Sequence, residues 1–118
     1  MEFQFKKNNP ATIRKNQMNS LLRKYPNKIP IILEKEPHCR LNPIEKTKFL
    51  CHKEFSVNQF AKMVRALMKM PENEALFFSA KGKYTITGEK IMSQIYKDFK
   101  DKEDGFLYIA YTTEMVYG

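Results

Sequence analysis

The 118-residue chain has no tryptophan, two cysteines and four glycines. It also has no apolar run that could cross a membrane. Each shortage excludes something. The longest apolar run, Phe106–Tyr111, falls far short of the roughly 20 residues of a transmembrane helix. Met1–Lys7 lacks the apolar stretch of a secretory signal. With only Cys39 and Cys51, no disulfide framework is expected, and a reducing, cytoplasmic setting is. The glycines are scattered and form neither GxxxxGK nor GxGxxG, so no phosphate-cradling loop of a nucleotide enzyme exists. The pairs His38-Cys39 and Cys51-His52 suggest zinc. Adjacent residues of a strand point to opposite faces, however, so Cys51 and His52 cannot both turn to one ion. Cys51 falls on the core side, where a thiol is inert. Glu103-Asp104 sits among Lys100 and Lys102 and reads as part of a solvated charged linker over Asp98–Asp104. No catalytic constellation, metal set or cofactor is expected, and the chain does not read as an enzyme.

What is present is positive charge, placed unevenly. The formal net charge is +8; residues 1–50 carry 11 Lys/Arg against 4 Asp/Glu, and residues 51–118 carry 10 against 9. A basic half attracts an acidic peptide, an anionic membrane or nucleic acid. A small basic nucleic-acid-binding domain is therefore a competing reading. Against it, the aromatics fall mainly in core phase, and no nucleic-acid motif interleaves them with the basic residues.

The run Phe106–Tyr111, bounded by Asp104-Gly105 and two threonines, reads as a strand buried on both faces in the middle of a sheet. Ahead of it, Asn9-Pro10 reads as a helix start. Ile13, Gln17 and Leu21 form one stripe of that helix, which Pro26 ends near Tyr25. The residues before Asn9 are either a further helical turn or loose. Lys28–Glu34 is a strand in which Pro30 must fall at an edge, a bulge or an unpaired side. Lys46–Cys51 is its antiparallel partner. There Lys46, Lys48 and Leu50 share one face, and an apolar residue beside two lysines marks a binding surface. Ser56 with Gln59 is a capping box opening a helix through Val57, Phe60, Val64, Leu67 and Met68, which Pro71 stops. Ala75–Phe78 is a third strand, Lys81-Gly82-Lys83 a turn, and Thr87 or Gly88 opens a last helix carrying Ile91, Ile95, Tyr96 and Phe99. This order is α+β. A parallel final strand between the hairpin and the third strand gives a four-stranded mixed β-grasp sheet. Residues 1–26 form an N-terminal helical extension; residues 27–118 form the core and a flexible C-terminal tail.

The stretches Lys24-Tyr25-Pro26-Asn27-Lys28-Ile29-Pro30, Glu45–Leu50 and Asp101–Tyr108, with an aromatic-glycine ending, together resemble the autophagy ubiquitin-like modifiers. That is the family of microtubule-associated protein light chain 3 and GABARAP. The resemblance runs from about Phe5 to Gly118 and implies a ubiquitin-like β-grasp with N-terminal helices. It implies that Gly118 is activated as a thioester and joined to phosphatidylethanolamine, with a cytoplasmic and an autophagosomal pool. The implied partners are activating and conjugating enzymes, a processing and deconjugating cysteine protease, and adaptor or cargo receptors carrying acidic aromatic-x-x-aliphatic motifs. No nucleic acid is among them. Such motifs bind as an added strand. Carried over, the first pocket is Leu21, Pro30, Ile32, Lys48, Leu50 and Phe106, closed by Gln17. The second is Phe49, Cys51, Phe60, Met63 and Val64, and Lys46 and Lys48 meet the acidic flank. Three departures stand out: Gln17 where an acidic residue is common, His52 for a usual proline, and Ala66-Leu67 for basic residues of which Arg65 remains. An unconjugated scaffold using the same groove is the other reading.

Overall fold

The computed structural model of the chain describes residues 1–114. The apolar run near the end forms most of the strand β5 (Leu107–Thr112), which stays buried through Tyr111 because helices cover both of its faces. In chain order the elements are α1 (Gln4–Asn8), α2 (Ala11–Lys24), β1 (Lys28–Lys35), β2 (Lys48–His52), α3 (Val57–Met68), β3 (Phe77–Ala80), β4 (Tyr84–Ile86), α4 (Met92–Phe99) and β5. The sheet order is β2-β1-β5-β3-β4. β5 runs parallel to β1 and antiparallel to β3, the central position expected from its composition.

Period-two alternation divides β5 between two cores. Leu107, Ile109 and Tyr111 join Phe60 and Val64 of α3 and Met92 and Ile95 of α4. Tyr108 and Ala110, with the adjacent Phe106, face Phe3 before α1 and Met18 of α2. The capping box at α3 is formed, with Ser56 Oγ accepting from Gln59 N and Gln59 Oε1 accepting from Ser56 N. Pro30 sits where its missing N–H is harmless. Leu33 N donates to Thr47 O and Glu36 N to Tyr111 O, so even-numbered amides of β1 point toward β5. The β1–β5 ladder begins only at Ile31.

Several expectations are corrected. The sheet has five strands, not four; β4 is three residues long with only Ile86 buried, too little for a pattern to show. β3 lies two residues later than Ala75–Phe78, and β2 begins at Lys48 rather than Lys46. The last helix starts at Met92, because Gly88 at φ 75 and its neighbours make a turn whose carbonyls accept from the start of α3 (Val57 N to Lys90 O). Asn9 does not cap α2; its side chain donates to Phe5 O, and Pro10 holds the cap position. On α2 the buried face is Arg14 and Met18, while Ile13 is 45% exposed.

The largest correction concerns Asp104, which is buried rather than solvated. Its carboxylate accepts from Arg14 Nη1, from Tyr108 Oη at 2.5 Å and from Phe106 N at 2.8 Å. Arg14 also donates to Glu103 Oε1 at 2.7 Å and to Asn9 O at 2.9 Å. Burial alone would lower the Arg14 pKa; the hydrogen bonds to Glu103 and Asp104 outweigh it and raise it. Burial, then the hydrogen bond to Asp104, pushes the Tyr108 phenol well up, so it stays a neutral donor. The loop turns into β5 at Gly105, φ 84, where a Cβ would stand 3.3 Å from Met18 Cε. Removing one partner of a buried pair leaves an uncompensated charge. Asp104→Asn, which keeps the shape, should therefore cost about 3 kcal/mol in urea unfolding. A loss under about 1 kcal/mol would show that water or Glu103 satisfies Arg14 without it.

Candidate peptide-binding groove

β2 is an edge strand. Because Leu33 N donates to Thr47 O, the odd-numbered residues of β2 exchange bonds with β1. The backbone groups of Lys48 and Leu50 therefore project to the open edge. Side chains alternate the other way: Phe49 and Cys51 enter the core, and Leu50 stays half-exposed between the two layers.

Beside this edge lies a groove of about 600 Å³. α2 supplies Gln17, Ser20 and Leu21, α3 supplies Met63 and Leu67, and Leu50 and Phe106 lie between them. Lys46 and Lys48 stand at its rim. Lys48 Nζ donates to Gln17 Oε1 at 2.9 Å and lies 5.6 Å from the centre of the Phe5 ring. Lys46 Nζ lies 5.4 Å from the centre of the Phe49 ring. The neutral Gln17 thus meets Lys48 as a hydrogen-bond acceptor at the rim. Arg65 is committed elsewhere, its Nη2 donating to the carbonyls of Pro71, Glu72 and Glu74 beyond α3. His52 Nδ1 accepts from Glu54 N.

Of the residues singled out from sequence, Gln17, Leu21, Lys46, Lys48, Phe49, Leu50, Met63 and Phe106 line one groove. Pro30 and Ile32 are fully buried, as are Phe60 and Val64, and Cys51 is 1% exposed. These five do not line this groove. Ser20 was missed, and Leu67, read on the apolar stripe of α3 and as a departure, is exposed at the groove instead. Helical spacing could have found both, since Ser20 follows Gln17 by three residues and Leu67 follows Met63 by four. Gly118 lies outside the described residues.

A model of the family described as "Autophagy protein Atg8 ubiquitin like" matches residues 13–118. The chain belongs to this family. Microtubule-associated protein 1 light chain 3 gamma from Homo sapiens is 35% identical over 115 residues, covering 97% of this chain and 78% of the human protein. The crystal structure of Trypanosoma brucei ATG8 matches with a TM-score of 0.91 at 26% identity, over 100% of both chains. The fold is therefore the ubiquitin-like fold of the Atg8 family, with two N-terminal helices and one strand more than expected.

Both cysteines of this Atg8-family chain are free and buried. Burial pushes the Cys51 thiol up from 9.0 to about 12. A raised folded pKa favours the folded state below the unfolded value. That contribution is complete below about pH 9 and is lost as pH rises through about 12. Iodoacetamide at pH 8 should label Cys51 only as the protein unfolds, read by peptide mass; native labelling at the rate of a free thiol would refute the burial.

Proposed function

We propose that this Atg8-family protein is a conjugated modifier that gathers partners through the groove at β2. The observation that carries the reading is the conjunction at one open strand edge. Backbone groups of Lys48 and Leu50 face outward there, an apolar groove of about 600 Å³ adjoins them, and two lysines stand at the rim. In an extended peptide bonded to that edge, residues three apart point to opposite faces, so an aromatic-x-x-aliphatic pair sends its aromatic toward Leu21, Leu50 and Phe106 and its aliphatic toward Phe49, Met63 and Leu67. Its acidic flank meets Lys46 and Lys48. Lys48 is held by a neutral amide, so an incoming carboxylate displaces no resident carboxylate.

An aromatic anchor contributes on the order of 2 kcal/mol from burial. Each rim lysine adds about 0.5 kcal/mol, because exposed pairs stay solvated and screened. Leu50→Ala should therefore weaken an acidic aromatic-x-x-aliphatic peptide more than Lys48→Ala does, and only the lysine effect should shrink at high salt. Calorimetric titration tests this; unchanged affinity for Leu50→Ala would remove the peptide from this surface.

Conjugation is read onto Gly118, the glycine that ends the tail after β5. No Cβ obstructs attack at its carbonyl. The linkage is to the amine of phosphatidylethanolamine, made by the activating and conjugating enzymes and reversed by the cysteine protease, which creates a membrane-bound autophagosomal pool. Intact mass after incubation with those enzymes and phosphatidylethanolamine liposomes should show the adduct. It should be absent for Gly118→Ala and for the deletion, with thermal unfolding unchanged. A deletion variant lipidated as well as the parent would refute the assignment and leave the groove-only scaffold.

A further inference from the structure

Toward the sheet edge remote from β2, α1 and the β3–β4 turn flank a second, open cavity of about 480 Å³, whose lining includes the carboxylates of Glu2 and Asp101. Four lysines from two distant parts of the chain reach it, Lys6 and Lys7 of α1 and Lys81 and Lys83 of the turn, around Phe3 and Tyr108. The approach is built into the turn. Gly82 has φ 71, and a Cβ there would stand 3.1 Å from Met1 Cβ, so the glycine lets the N-terminal segment close over the turn. Lys6 is fixed by Asp101 at 2.6 Å and lies 5.5 Å from the centre of the Tyr108 ring. Lys7 and Glu2 approach only to 4.0 Å, both well exposed, a contact of little weight. Lys81 and Lys83 form no ion pair among the described residues.

We infer that this cavity binds a small phosphate-bearing anion. Converging like charges cost energy unless a counter-charge fills the space between them. Four lysine side chains line it against the two carboxylates of Glu2 and Asp101, and Asp101 is already taken by Lys6. Lysine ammonium is a compact point charge with rotatable donors, which suits a phosphate group approached from several directions. Planar carboxylates are better matched by an arginine fork, and no arginine lines the cavity. The amides of the turn are already used: Lys81 N donates to Tyr108 O, Gly82 N to Ser79 O and Lys83 N to Ala80 O. Recognition thus falls to the side chains. A phosphoinositide headgroup and a free polyphosphate share this chemistry. The inference is independent of the groove and of Gly118.

The test uses the full chain with inositol hexakisphosphate, followed by calorimetry and by amide chemical shifts. It is repeated with phosphatidylcholine vesicles with and without a phosphatidylinositol phosphate. Saturable binding is expected, with shifts centred on Lys6, Lys7 and residues 81–83. The double variant Lys81→Gln/Lys83→Gln should lower affinity about tenfold, two exposed charge contacts acting together. Lys7→Gln should lower it less, and Lys46→Gln should leave it unchanged. Vesicle binding that requires the phosphoinositide identifies a lipid source, and binding of the soluble anion alone identifies a free one; either supports the site. No binding, shifts centred on Lys46 and Lys48, full affinity in the double variant, or binding only to RNA or to a glutamate-rich peptide would each overturn it.

Discussion

The groove depends on the buried ion pair between Arg14 and Asp104. Arg14 belongs to α2, which forms one wall, and Asp104 to the turn that delivers Phe106 into the groove. One carboxylate therefore joins an N-terminal helix to the segment leading into the central strand. Such a pair is not a cheap source of stability, since desolvating both charges offsets much of their attraction. Its value here is geometric. Three donors converge on Asp104 and three acceptors on Arg14, so helix and strand have one mutual arrangement. An apolar pair of similar volume could hold α2 down as firmly without fixing its rotation. Rotation decides whether Leu21 faces Leu50.

The same logic explains Glu34. It is buried on β1, and its two oxygens accept from Gln4 N at 2.7 Å and Phe5 N at 3.0 Å. A five-residue helix has almost no stability of its own, because nucleation is unfavourable and few bonds follow it. Here a carboxylate at the N-terminal end supplies acceptors for orphan amides and complements the helix dipole. Phe3 and Phe5 then pack on Tyr108 and Phe106, with ring centroids 5.1 and 5.3 Å apart. The short helix is thereby part of the domain.

What could be read from sequence was what local pattern encodes. Phe106–Tyr111 announced a strand covered on both faces because each of its two phases is apolar. Ser56 and Gln59 announced a helix start because both halves of the capping box lie three residues apart. Leu50 drew attention to its face because it is apolar where the other residues in its phase are lysines. The features that escaped are non-local. Arg14 and Asp104 are separated by 90 positions, and each alone looks like surface charge among other charges. β4 owes its pairing to β3 rather than to its own three residues. Ile13 fits a helical stripe as well as Met18 does; the Arg14–Asp104 pair, with Gly105 lying against Met18, decides which stripe turns inward.

Two sides of α1 serve different surfaces, and this ties the groove to the rest of the fold. Phe5 packs against Phe106 under the groove and stands within reach of the Lys48 ammonium. Lys6, the next residue, points the other way, to Asp101 and Tyr108. Successive side chains of a helix diverge by about 100°, so one turn can reach both sides only if its axis lies between them. Glu34 holds the axis there. Weakening that carboxylate's grip would free Phe5 and Lys6 together, and the support of Lys48 would loosen with the wall of the basic cavity. Ordering a lysine costs up to about 2 kcal/mol of side-chain entropy. Contacts that pre-set Lys48 against Gln17 and Phe5 reduce what an incoming acidic segment must still supply. Through Phe5, a five-residue helix in this way helps set the position of a rim residue of the groove.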